Sequence, residues 1–196
     1  MEIWLDTIDR DLITLGNSLG IISGITTNPS LIADPLKNVE TILSDLLKLQ
    51  DGPIAVQVTA TTYRIIIEQA ERLRDFSEKI IIKIPVTQEG LKATAILTRR
   101  GFPIMSTAVF TPFQALFACQ LGVHYIAPYY SQIEKAGGNP SELFATVQCI
   151  LNHYDFDTKI LAASLKDPDH ILDCLDMGID SITLKKELFE TLLNDN

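Results

Sequence analysis

The sequence predicts a single-domain α/β fold over residues 1–196, closed as a (β/α)8 TIM barrel. Three observations carry this. Strand-like and helix-like stretches alternate strictly through eight units, which favours a parallel sheet, and eight units favour its closure. No composition break, linker, low-complexity segment or internal repeat interrupts them. Finally, Ile80, Ile81, Ile82 and Ile84 form a β-branched run of the kind found in strands buried on both faces. An open doubly wound sheet is the runner-up. Neither GxGxxG nor a P-loop is present, which removes its nucleotide-binding form.

In chain order, Glu2 to Asp6 reads as a short strand and Asp9 to Leu19 as a helix with Asp9 near its start. Gly24 to Thr27 is a second strand, ending at Asn28-Pro29, an N-cap followed by a proline at the first helical position. After Asp34-Pro35 comes a helix from Val39 to Leu49 with Leu43, Leu46 and Leu47 on one face. Pro53 to Val58 is the third strand. Thr61 or Thr62 caps a helix that keeps Ile66, Ala70 and Leu73 at helical spacing. The fourth strand runs from Ile80 to Pro85, and its helix closes at Gly101. Pro103 to Thr107 and His124 to Pro128 are strands five and six, separated by an apolar helix from Pro112 to Gln120. Tyr129 to Glu142, with Gly137-Gly138 and Asn139-Pro140, is the longest expected loop, before a helix from about Ser141 to His153. Strand seven is Lys159 to Ala163. Asp167-Pro168 opens a helix that ends at Gly178, and strand eight, Asp180 to Leu184, leads into a last helix from Lys185 to Leu193.

The bulk properties narrow the function. A hydrophobic fraction of 46% suits a globular chain with one sizeable core. Every apolar run stops short of the roughly 20 residues of a membrane span. The N-terminus enters a strand directly, without a signal-peptide pattern, so a cytoplasmic protein is expected. Cys119, Cys149 and Cys174 are widely spaced in apolar helical patterns and read as reduced core residues. A net charge of −9 argues against nucleic acid as a partner, while leaving an anionic small substrate open.

Lys83 lies inside the β-branched run, two residues before Pro85. Burial there strips hydration from an ammonium, lowers its pKa and frees a fraction as the neutral amine, a nucleophile for a ketone carbonyl. A strand-end lysine whose head escapes to water is the bland alternative. Polar residues recur at the other predicted strand ends: Asp6, Thr26, Asn28, Gln57, Thr107, Tyr129, Ser164 and Lys166. A barrel brings such positions to one mouth, although singly each reads as a cap, turn or packed residue. His124, His153 and His170 show no ligand spacing, no cysteine lies at a strand end, and no serine sits in a GxSxG elbow. No metal or cofactor is expected. A lysine beside hydroxyl, amide and carboxylate groups suits imine chemistry.

The chain resembles the small transaldolase and fructose-6-phosphate aldolase family of Schiff-base barrel enzymes over nearly its whole length. The resemblance rests on W-L-D-T (Trp4 to Thr7), G-I-T-T-N-P-S (Gly24 to Ser30), A-V-Q-V-T-A-T (Ala55 to Thr61), I-I-I-K-I-P-V-T-Q-E-G-L (Ile80 to Leu91), S-T-A-V-F (Ser106 to Phe110), Y-I-A-P-Y (Tyr125 to Tyr129), L-A-A-S-L-K (Leu161 to Lys166) and S-I-T-L (Ser181 to Leu184). It implies that Lys83 forms the imine, that Asp6 contacts the substrate hydroxyl deprotonated in cleavage, and that Gln57, Thr107 and Tyr129 hold a water. It further implies that Thr26 and Asn28 bind donor hydroxyls and that Ser164 helps to hold a distal phosphate.

Transaldolases of the family commonly carry glutamate where Gln57 stands and phenylalanine where Tyr129 stands, so both positions match the aldolase branch. A class I aldolase acting on a ketose of the fructose 6-phosphate type is therefore expected. The alternatives are a transaldolase moving a dihydroxyacetone unit and a non-catalytic sugar- or protein-binding barrel. Gln132 stands where many relatives place a phosphate-pairing arginine, and an amide does not replace a bidentate guanidinium. Lys166 is the partial substitute, and an unphosphorylated acceptor gains ground. The resemblance also implies a homo-oligomer, a pentamer or decamer, although aldolase-branch relatives extend into a further C-terminal helix beyond the point where this sequence stops.

Overall fold

The computed structural model describes residues 1–33 and 38–194. Among them, the strands β1 (Glu2–Asp6), β2 (Ile22–Thr26), β3 (Ile54–Gln57), β4 (Ile80–Pro85), β5 (Ile104–Val109), β6 (Tyr125–Pro128), β7 (Lys159–Ala162) and β8 (Ser181–Leu184) close into a barrel in sequence order. Every pairing is parallel, including β1 with β8, where Glu2 faces Ser181 and Leu5 faces Leu184. The helices between them are α1 (Arg10–Leu19), α2 (Pro29–Ile32), α3 (Val39–Leu49), α4 (Tyr63–Phe76), α5 (Gln88–Arg99), α6 (Pro112–Gln120), α7 (Tyr130–Lys135), α8 (Pro140–Tyr154), α9 (Pro168–Asp176) and α10 (Lys186–Leu193). The chain is thus the expected single-domain barrel. The Asp34-Pro35 break expected before α3 lies outside the described residues.

Local chemistry explains most boundaries. Asp9 accepts from the amides of Asp11 and Leu12 and starts α1, and Gly20, at φ 68°, ends it. Asn139 and Asp167 cap α8 and α9 ahead of a proline in the first turn. Thr62 holds the cap position of α4 without a side-chain hydrogen bond, and the Tyr63 amide instead donates to Glu89 Oε2 at 3.0 Å.

Two expectations are corrected. The loop expected from Tyr129 to Glu142 contains α7, because Tyr130 and Ile133, one turn apart, are both buried and drive a short helix that the following glycines terminate. Cys149 is exposed, since α8 buries Leu143, Phe144, Val147 and Leu151 and position 149 falls off that stripe; Cys119 and Cys174 are buried as expected.

The core has two layers. Leucine, isoleucine and valine side chains fill the space between sheet and helices. Inside the barrel a smaller cluster joins Trp4, Ala55, Ile81, Met105, Ala127, Leu161 and Ala163, with Tyr125 and Tyr129 against it. Trp4 is fully buried there because Gly24 leaves it room: a Cβ at residue 24 would sit 2.7 Å from the indole ring. Below the indole, Glu2 closes the barrel floor. Its Oε2 accepts from Trp4 Nε1 at 3.1 Å and Tyr125 OH at 3.0 Å, and its Oε1 accepts from Lys159 Nζ at 2.5 Å.

Candidate active site

Side chains alternate across a strand, so the residues two positions after the inner layer face inward one step nearer the carboxyl ends. From Trp4, Ala55, Ile81 and Met105 this gives Asp6, Gln57, Lys83 and Thr107. The register sets Gln57 opposite Lys83 and Asp6 opposite Thr26.

Lys83 is 4% exposed, and its Nζ donates to the carbonyl oxygen of Thr27 at 3.2 Å. Burial pushes the ammonium pKa down, and the charge of Asp6 draws it partly back up. The carbonyl is available because Thr27 is itself anchored: its amide and hydroxyl both donate to Ala55 O, at 2.9 and 3.0 Å.

Asp6 is held from two sides. Thr26 Oγ1 donates to its Oδ1 at 3.0 Å and shares a 2.7 Å hydrogen bond with Thr183 Oγ1. Asn28 Nδ2 lies 3.3 and 3.4 Å from the two carboxylate oxygens. The opposite end of the Asn28 amide caps α2, accepting from the Leu31 amide at 3.1 Å and from Ser30 Oγ at 2.6 Å. One amide group therefore orients a helix start and the carboxylate together.

Across the mouth, Thr107 Oγ1 and Tyr129 OH share a 2.8 Å hydrogen bond. Burial raises the phenol pKa, the Thr107 hydroxyl moderates the rise and Asp6 adds to it, so Tyr129 stays protonated and able to donate at neutral pH. The β5 backbone slips register between Thr107 and Val109, with Ala108 at φ 57°, a β-bulge beside a candidate catalytic hydroxyl. The bulge lets Thr107 face inward while Val109 joins the outer core, and it carries the Phe110 ring edge-on to Tyr129 at 5.8 Å.

Asp6, Thr26, Asn28, Lys83, Thr107 and Tyr129 are thus brought together, and Gln57 faces the same interior. Ser164, Gln132 and Lys166 lie farther out, over β7 and the start of α7. Ser164 adopts φ 62°, and its carbonyl oxygen accepts from the Ser131 amide at 3.3 Å and Ser131 Oγ at 2.5 Å. Gln132 and Lys166 are exposed. Reading the sequence for polar side chains passes over the Thr27 carbonyl, which has no side-chain signature. It also passes over Thr183, whose signal is its place one residue before the end of β8, within S-I-T-L. Among the described residues no group of three or more histidine, cysteine or acidic side chains could hold a metal ion.

Comparison with known proteins bears on the fold and the family. The closed barrel superposes on inosine 5′-monophosphate dehydrogenase from Legionella pneumophila with a TM-score of 0.68 over 96% of this chain and 58% of that one. At 17% identity that likeness concerns the fold alone. A probable transaldolase of Coprothermobacter proteolyticus is 36% identical over 192 residues, 98% of this chain and 88% of its own length. Another, from Desulfatibacillum aliphaticivorans, is 36% identical over 184 residues, 94% of this chain and 86% of its own. The profile of the family described as transaldolase/fructose-6-phosphate aldolase matches residues 3–196. With a family match and relatives that both span nearly its whole length, the chain belongs to the transaldolase/fructose-6-phosphate aldolase family of enzymes.

Proposed function

We propose that this enzyme is a class I aldolase that cleaves or forms the C3–C4 bond of a ketose of the fructose 6-phosphate type through an imine on Lys83. The observation that carries this reading is the buried Lys83 amine at the carboxyl end of β4, facing the same interior as a clamped carboxylate and a paired phenol and hydroxyl. In the neutral form Lys83 attacks the ketone carbon, and protonation of the carbinolamine with loss of water gives the iminium. Asp6, held by Thr26 and Asn28, accepts the proton of the C4 hydroxyl. The C3–C4 bond then breaks, its electron pair moves into the iminium to form an enamine, and the aldehyde leaves. Gln57, Thr107 and Tyr129 hold a water; Tyr129, protonated, relays a proton to C3 of the enamine, and water hydrolyses the resulting imine. Dihydroxyacetone is released and the free amine restored with no cofactor. Thr26 and Asn28 also face the donor hydroxyls, and Ser164, with Gln132 and Lys166, the distal end.

The names of the relatives favour a second reading, a transaldolase that passes the dihydroxyacetone unit to an acceptor aldehyde before the enamine is protonated. Release of free dihydroxyacetone without an acceptor separates the two. The test of the shared chemistry is intact mass after borohydride treatment with dihydroxyacetone or fructose 6-phosphate. A covalent adduct is expected in the wild type and none in Lys83→Met, whose turnover should fall roughly a thousandfold or more. A folded wild-type protein that forms no adduct with either ketone would sink the imine reading and favour a non-catalytic barrel.

A further inference from the structure

Beyond Tyr129 the mouth continues across the first turn of α7 and the loop from β7 to α9. Barrel enzymes commonly hold a substrate phosphate in this quarter with free loop amides, a helix N-terminus and a cation. Here the amides of Tyr130, Ser131, Lys166 and His170 are committed elsewhere. The Tyr130 amide donates to Ala163 O at 2.9 Å and the Ser131 amide to Ser164 O at 3.3 Å. The Lys166 amide donates to His170 Nδ1 at 3.2 Å, and the His170 amide to Asp167 Oδ1 at 3.1 Å.

The charges at this corner are also of the wrong sign for an anion. His170 Nε2 lies 3.2 Å from Asp167 Oδ2 and 3.5 Å from Glu134 Oε2, placing two carboxylates beside the loop. Its ring stacks on Tyr130 at 4.2 Å, and Tyr130 OH donates to Asp173, a third carboxylate behind them. Lys166 is the one cation of this loop, exposed and next in sequence to Asp167. Gln132, on the first turn of α7, brings a neutral amide. A further wall is apolar, where Phe110 stands edge-on to Tyr129.

We infer that the aldehyde half of the substrate carries no phosphate: the corner formed by Phe110, Tyr129, Gln132 and the β7–α9 loop takes an uncharged polyol or alkyl aldehyde. A phosphate dianion at this corner exchanges water for carboxylates and an aromatic edge, with the single exposed ammonium of Lys166 as counter-charge. An uncharged chain meets an amide, a serine and an aromatic wall that suit hydroxyl and methylene groups. This inference rests on the imine reading, and it narrows the fructose 6-phosphate type to its unphosphorylated analogues.

The experiment condenses dihydroxyacetone with D-glyceraldehyde or with D-glyceraldehyde 3-phosphate and compares kcat/KM. The wild type is expected to favour the unphosphorylated aldehyde by roughly tenfold or more, the scale of one uncompensated charge contact. Gln132→Arg is expected to raise kcat/KM for the phosphorylated aldehyde by roughly tenfold to a hundredfold, by supplying a bidentate cation. A wild type that prefers the phosphorylated aldehyde overturns the inference, as does an arginine at this position that leaves phosphate discrimination unmoved. Borohydride trapping with dihydroxyacetone alone is run alongside. An adduct together with a phosphate preference overturns only the specificity, whereas the absence of an adduct overturns the aldolase reading itself.

Discussion

Lys83 and Tyr129 illustrate how a single side chain acquires its chemistry from burial. A lysine inside an isoleucine run is legible in sequence because that setting works against an ammonium, and the structure places it 4% exposed with one carbonyl partner. Tyr129 is less legible, since a tyrosine at a strand end is an ordinary packed aromatic; its meaning comes from the 2.8 Å hydrogen bond with Thr107. If a protonated phenol speeds protonation of the enamine, Tyr129→Phe should lower release of free dihydroxyacetone roughly a hundredfold while sparing transfer to an added aldehyde. The ratio of free dihydroxyacetone to transfer product checks this, and an unchanged ratio would remove Tyr129 from the proton path. The Thr27 carbonyl was beyond reach of sequence reading for a simple reason. Every residue has a carbonyl, and only the fold decides which one meets an amine.

At the scale of elements, the strands announced themselves through β-branched runs and the caps through Asn28-Pro29 and Asp167-Pro168. The β5 bulge did not. Ala108 adopts φ 57° without being glycine, because the surrounding barrel fixes a geometry that local preference opposes. The helix α7 was hidden for a related reason: glycine and proline signals around residues 137–140 outweighed two apolar positions that matter only once the β6–β7 edge is there to receive them. Packing between strands is similarly exacting at β2. A methyl group at Gly24 would meet the Trp4 ring at 2.7 Å and Pro53 O at 2.8 Å, with backbone on one side and a fully buried indole on the other. Gly24→Ala should therefore cost about 1 to 3 kcal/mol, read as a lowered thermal midpoint. An unshifted midpoint would mean that the indole has room to move.

For the whole molecule, alternation through eight units made the barrel legible, and the strand pairing follows that order without exception. The floor was not legible, because Glu2, Trp4, Tyr125 and Lys159 are separated along the chain by up to 157 residues. Burial raises the Glu2 pKa, but hydrogen bonds from Lys159, Trp4 and Tyr125 outweigh it and leave the carboxyl below its ordinary value. A depressed carboxyl stabilises the fold above the unfolded-state pKa and loses that contribution as pH falls through the folded one. Glu2→Gln should then destabilise the protein at pH 7 by about 1 kcal/mol or less, solvent screening keeping the effect small, with the difference vanishing in acid. Urea midpoints at pH 7 and pH 3 measure it; an equal gap at both would assign the effect to shape rather than charge.

The pairing of the first strand with the last also bears on how the molecule comes into being. While the ribosome still holds Ser181–Leu184, the nascent sheet has two raw margins, β1 at one side and β7 at the other, each with unpaired backbone groups open to neighbouring chains. Arrival of β8 seals both margins in one event. The same strand brings Thr183 to Thr26, and through it a brace on Asp6, so protection from aggregation and completion of the carboxylate clamp coincide. A chain released short of that strand would expose both margins and leave the Asp6 brace unfinished together.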